Sequence, residues 1–161
     1  MTKRQQHRAL RDALGQFATG IAVVTAGDGG GGFVGMTINS FSSVSLEPPL
    51  VLWSIGLESP SRAFFEGAGH YAINVLSAEQ QELSRRFSTP HADKFNGIAW
   101  TEGLGGAPLL PDCAAWFECR TAMRYPGGDH LILVGEVERF RSEPKAPLIF
   151  HGGSYRRLRE E

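Results

Sequence analysis

From residue 21 to residue 150 the chain is broken into short runs rich in Val, Ile, Phe, Trp or Thr, separated by Gly, Pro and Ser. The runs cover residues 21–25, 33–38, 50–55, 71–76, 114–123, 131–140 and 148–150, and they read as strands. Many short strands with few helices favour a closed antiparallel barrel, because closure removes the unpaired edges that an open sheet exposes. The expected fold is mainly β, a six- or seven-stranded barrel with helices over its mouths. Three helices fit the pattern. Residues 4–17 place Leu10, Leu14 and Phe17 at helical spacing ahead of the core. Ser59-Pro60 opens a second helix ending near Gly67, and Ser77 with Gln80 three residues on is a capping box opening a third that runs to about Phe87. Residues 88–111, rich in Gly, Pro and polar groups, form a loop long enough to be functional or to cover something.

At 161 residues, 42% hydrophobic and 20% charged, the chain is expected to form one globular domain over residues 1–161. Its longest apolar stretches, such as residues 21–24 and 131–134, fall far short of the roughly 20 residues that cross a bilayer. The N-terminus is polar and unlike a signal peptide, so a cytoplasmic protein is expected. Cys113 and Cys119 lie in an extended segment that would hold them about 20 Å apart, at roughly 3.3 Å per residue, too far for a disulfide. A formal net charge of −1, with no basic run beyond Arg156, Arg157 and Arg159, gives no footprint for nucleic acid.

The run Gly27-Asp28-Gly29-Gly30-Gly31-Gly32 satisfies the dinucleotide pattern G-x-G-x-x-G after a strand. That fingerprint must open a helix, whereas this run leads into the strand-like residues 33–38, so a hairpin turn is the better reading. Ser59-Pro60-Ser61-Arg62 is a helix start with an arginine near the positive end of the helix dipole. Either Arg62 points into solvent, or the free N–H groups, two hydroxyls and guanidinium hold a phosphate. Residues 37–46 are dense in hydroxyls and amide; such a run either satisfies its own turns or faces a polar ligand. His130 stands where Gly127-Gly128-Asp129 becomes a strand, a common place for a site residue, although a lone histidine is more often a surface or packing residue than a catalytic one. His7, His70, His91 and His151 pair with neither one another nor a cysteine at metal spacing, and no metal is expected. No nucleophile elbow, phosphate loop or carboxylate pair is evident. A polar site with little acid–base equipment suits a protein whose cofactor carries the chemistry.

Five ordered segments share a further property. They are residues 15–25, residues 35–51, Arg86-Phe87 with Asp93-Lys94-Phe95, Gly128-Asp129-His130 with Gly135-Glu136-Val137, and residues 151–158. Together they resemble the flavin reductase family, whose fold is the FMN-binding split barrel, a closed antiparallel Greek-key β-barrel, and which includes reductase components of two-component monooxygenases. The resemblance implies a homodimer that passes hydride from NADH or NADPH to FMN or FAD and supplies reduced flavin to a monooxygenase. It implies that Thr37, Ile38, Asn39 and Ser40 line the flavin, with Ser43 and Ser54 in the same cofactor-binding set. By the same resemblance Ser59, Ser61 and Arg62 hold the phosphate, Arg86 and Phe87 contact the flavin, and His130 and Tyr155 lie on the nicotinamide side, His130 as the catalytic residue. The chain departs from many relatives at Ile38, where they carry Ala, and at Pro60, where they often carry a small hydroxyl residue. Two rivals remain: a flavoprotein that reduces another acceptor, and a non-enzymatic flavin- or haem-binding barrel.

Overall fold

The fold was taken from a computed structural model that describes residues 1–90 and 93–161; His91 lies outside the described residues. Helix α1 (Lys3–Leu14) leads into β1 (Thr19–Gly20), β2 (Ala22–Gly27), β3 (Phe33–Ile38), β4 (Ser42–Leu46) and β5 (Pro49–Gly56). Helix α2 (Arg62–Gly67), β6 (His70–Val75) and helix α3 (Gln81–Ser88) follow. After a small β7 (Thr101–Glu102) and β8 (Pro108–Leu109) pair come β9 (Ala115–Gly127) and β10 (His130–Ser142), then β11 (Ile149–His151) and β12 (Ser154–Arg156).

The main sheet has seven strands in the order β3-β2-β6-β9-β10-β5-β4, every neighbour antiparallel. A second sheet, β1-β11-β12, pairs the first strand with β11, whose other edge carries β12. Strand β2 shows why an unbroken apolar run was needed. All six of its residues are buried, and alternation sends Val24 into a cluster with Trp53, Tyr71 and Leu133 while Val23 joins Leu76, Phe87 and Leu148. The strand is thus covered on both faces.

The glycine run is a hairpin turn between β2 and β3, as the strand after it required. Asp28 Oδ1 accepts from the N–H groups of Gly30 (2.8 Å) and Gly32 (2.9 Å), and Gly29 and Gly31 take positive φ of 75° and 96°. Both cysteines are free and buried. Among the described residues no helix is long and apolar enough to cross a membrane.

Several boundaries differ from expectation. Helix α1 stops at Leu14 and buries no residue, leaving Leu10, Leu14 and Phe17 exposed. Helix α2 begins at Arg62, because Ser59, Pro60 and Ser61 form a turn in which the Arg62 N–H donates to the Ser59 carbonyl (3.1 Å). Helix α3 begins at Gln81, four residues after Ser77. Only half of the capping box forms: Gln80 Oε1 accepts from the Ser77 N–H (2.9 Å), while the Gln80 amide is drawn to the Pro111 carbonyl (2.7 Å). The segment 88–111 contains the β7–β8 pair and a 3₁₀ turn at Leu104–Gly106.

Candidate flavin cleft

Strand β3 ends at Ile38, and the chain crosses to β4 through Asn39, Ser40 and Phe41. At this crossing a cleft of about 250 Å³ opens between β3, α3 and the β11–β12 hairpin. Ile21, Ile38 and Phe150 make its apolar wall; Thr37, Asn39, Ser84, Ser88 and Tyr155 supply polar groups. The polar groups are held in a short relay. Thr37 Oγ1 donates to the Ser84 carbonyl (2.7 Å), and Ser84 Oγ shares a hydrogen bond with Tyr155 Oη (2.9 Å). Tyr155 is further fixed by its edge contact with Phe150, centroids 5.6 Å apart, and by the Arg85 guanidinium 5.4 Å from its ring centre.

Ser40 carries the site to the next strands. Its Oγ accepts from the Ser54 N–H (3.0 Å) and donates to the Ser54 carbonyl (3.2 Å), pinning the end of the crossing to β5. Ser54 stands opposite Ile132, and Gly56 opposite His130, so Ser54 and His130 share the face of the sheet turned away from Trp53 and Leu133. His130 Nδ1 lies 2.7 Å from Asp129 Oδ1. With a carboxylate as acceptor, Nδ1 carries the proton and Nε2 is left over Gly56. The hydrogen bond from His130 and its charge hold the Asp129 carboxyl below the usual carboxylate range.

The Ser59–Arg62 turn adjoins this hairpin tip, because the Leu57 N–H donates to the Asp129 carbonyl (2.9 Å). Ser59 Oγ accepts from the Ser61 N–H (3.4 Å), and Ser61 makes no side-chain cap. Arg62 has a negative neighbour already: its Nε lies 3.2 Å from Glu66 Oε2, and its guanidinium also donates to the Leu57 carbonyl (3.4 Å). The unfavourable dipole that pointed to a phosphate is therefore offset inside the helix.

Of the sequence candidates, Thr37, Ile38, Asn39 and Tyr155 line the cleft; Ser40, Ser54, Ser59, Ser61, Arg62 and His130 lie outside its lining, and so do Ser43, Arg86 and Phe87. Ser43 is exposed on the edge strand β4. Arg86 donates to the carbonyls of Asn96 (2.6 Å) and Asp93 (3.4 Å) and so braces the following loop. Phe87 is core: it packs edge-on against Phe95 at 4.9 Å and so closely under Gly35 that a Cβ there would meet it at 2.8 Å. Sequence reading missed Ser84, Ser88, Ile21 and Phe150. Ser84 and Ser88 sit four apart on α3, spacing that puts both on one helix face, yet nothing in the sequence said which face met β3.

The sequence model of the flavin reductase like domain matches residues 14–159. The chain is 47% identical to the FMN reductase (NADH) SmoA of Agrobacterium fabrum over 96% of its own length and 87% of that protein. It is 43% identical to the reductase component of the flavin-dependent trigonelline monooxygenase of Acinetobacter baylyi over 92% of its length, but spans only 48% of that relative. Among solved structures, the NADH:FAD oxidoreductase SgcE6 of Streptomyces globisporus, in complex with NAD and FAD fragments, superposes with a TM-score of 0.92 at 37% identity, covering 99% of this chain and 96% of that one. On this fold, this cleft and these likenesses, the chain belongs to the flavin reductase family.

Proposed function

We infer that the chain is an NAD(P)H-dependent flavin reductase, transferring hydride from reduced nicotinamide to FMN or FAD. The observation that carries this reading is the cleft at the end of β3. A flat tricyclic ring with an apolar edge and a polar edge fits a slot whose walls are Ile21, Ile38 and Phe150 and whose rim is Thr37, Asn39, Ser84 and Tyr155. The residues present therefore fit the flavin. When bound, the flavin accepts the hydride and its electrons; the protein's task is to hold the two rings and keep their surroundings fixed.

Thr37 and Asn39 border the ring, with Ser40 and Ser54 continuing along the ribityl chain. Thr37 is committed to the Ser84 carbonyl, so its hydroxyl shapes the slot. Ser59, Ser61 and Arg62 are assigned the phosphate, with Arg62 exchanging part of its hold on Glu66 for it. His130, oriented by Asp129, and Tyr155, oriented by Ser84, lie on the nicotinamide side. The curled seven-stranded sheet is read as a split barrel, and residues 1–161 as one domain. The protein works as a homodimer in the cytoplasm, and its reduced flavin serves a partner monooxygenase, a role carried by the names of relatives such as the trigonelline monooxygenase reductase component.

The test is the rate of NADH and NADPH oxidation by the purified protein with and without added FMN or FAD. Oxidation that requires free flavin is the expected result. No oxidation in any combination would remove the reductase assignment.

A further inference from the structure

The residues Asp93-Lys94-Phe95 follow α3 and take no part in the chemistry described so far. Lys94 is half-buried, and its Nζ donates to two main-chain carbonyls, that of Gly35 on β3 (3.3 Å) and that of Phe87 on α3 (3.2 Å). It makes no ion pair among the described residues. Burial holds its pKa below the ordinary lysine value, so the charge stands there at a cost. Both acceptors suit a cation. Phe87 lies in the last turn of α3, where carbonyls lack helical partners and the dipole is negative. Gly35 lies on β3, an outer strand of the seven-stranded sheet.

The rings beside Lys94 make the same connection. Phe95 packs edge-on against Phe33 of β3 at 4.8 Å and against Phe87 of α3 at 4.9 Å. Gly35 permits this approach, since a Cβ there would meet Phe95 Cζ at 2.9 Å. Arg86 ties in the opposite direction, from α3 to the Asn96 carbonyl of the loop (2.6 Å). The two elements that Lys94 spans are two walls of the flavin cleft. Gly35 is two residues before Thr37 and shares its side of β3, and Phe87 stands between Ser84 and Ser88 in α3. Thr37 already ties β3 to α3 through the Ser84 carbonyl at the cleft itself. One tie allows the two elements to pivot, whereas a second tie further along both of them holds the gap.

We propose that Lys94 is a positioning residue for the flavin: by donating to Gly35 and Phe87 together it fixes the gap between β3 and α3, and so the width of the slot that takes the flat ring. It acts through these two elements and touches no flavin atom. The proposal rests on the reading of the cleft as the flavin site.

The test compares full-length wild type with Lys94→Met, which keeps much of the stem and removes the donors, and with Lys94→Arg. The flavins are FMN and lumiflavin, which has the ring system and no phosphate. Binding is read by flavin fluorescence, and turnover by NADH oxidation with FMN. Lys94→Met should raise the Kd for both flavins by about tenfold, the loss of one good contact. It should raise the KM for FMN alike and leave kcat at saturating FMN within about twofold, the pattern of lost ground-state binding. Lys94→Arg should recover most of the affinity, since its guanidinium again donates to carbonyls. A loss confined to FMN would make Lys94 a direct ligand of the phosphate and overturn the proposal. A lowered thermal midpoint with both Kd values unchanged would leave Lys94 a structural brace alone and overturn it too. If Lys94→Met does not fold, Lys94→Gln, which keeps an amide donor, takes its place and should weaken both flavins in the same proportion. A wild type that binds neither flavin would be a different result, because it removes the reading of the cleft itself.

Discussion

Gly135 stands on β10 where a side chain of any size would strike a neighbour. A Cβ there would run into Tyr71 Oη and come within 2.7 Å of Cζ of the same ring and 2.9 Å of Cys119 Cβ. The Tyr71 hydroxyl is buried without a hydrogen-bond partner, and burial pushes its pKa well up from the ordinary phenol value. Gly135→Ala should therefore destabilise the fold by about 1–3 kcal/mol, the usual cost of overpacking, as read by urea unfolding. Removing the hydroxyl with Tyr71→Phe should cost little, since the change breaks no hydrogen bond of standard geometry, and should recover part of the loss in the double variant. Strict additivity of the two changes would show that the hydroxyl is not what excludes the methyl. At the site, His130 Nε2 is left over Gly56 once Asp129 has claimed Nδ1. His130→Ala should slow flavin-dependent NADH oxidation by about tenfold through lost orientation, with FMN affinity unchanged. A wild-type rate in stopped-flow reduction would take His130 out of the mechanism.

Elements differ in how openly the sequence announced them. Strand β2 was plain because its run is apolar without alternation, and the turn after it because glycines followed by Phe33-Val34 cannot start a helix. The turn's carboxylate is testable. Two backbone N–H groups hold Asp28 below the ordinary 3.8, so its folded value lies under its unfolded one. Its contribution is present above the unfolded pKa and is lost as pH falls through the lower, folded one. A carbon-detected NMR titration should place the Asp28 midpoint below 3.8, and a midpoint at or above 3.8 would show that the turn does not hold it. Other elements were hidden for physical reasons. Ser84 reads as an ordinary polar residue in an amphipathic helix; its role comes from Thr37, 47 residues earlier, and Tyr155, 71 residues later, and no local pattern records such meetings. The Ser59-Pro60 and Ser77 signals were real but early by two or more residues, because each opens a turn first, with the Arg62 N–H donating to the Ser59 carbonyl and the Gln80 N–H to the Ser77 carbonyl. Phe87 was legible as part of a family motif, yet its burial under Gly35 makes it a support for β3.

At the scale of the molecule, the exposed apolar side chains are unevenly shared. Leu10, Leu14 and Phe17 lie on or just after α1, and Val44 and Leu46 on the edge strand β4, where Leu46 is 94% exposed. Edge strands and uncovered helices of this kind are ordinarily managed by pairing or cover. Light scattering should give a particle of twice 17.5 kDa, and Leu46→Lys should shift it toward the monomer. A wild-type monomer would leave these side chains to another partner. The site also has a timing. Its walls are contributed by β3, by α3 and by a strand near residue 155, with the final hydrogen bond spanning 71 residues. Synthesis proceeds from the N-terminus, so the strand that carries Tyr155 is made after every other wall. A nascent chain can bury β2 and close its first hairpin while the slot still lacks a side. Binding competence therefore arrives with the last strand, and a chain cut before residue 154 could fold much of its core and still have no closed slot to offer.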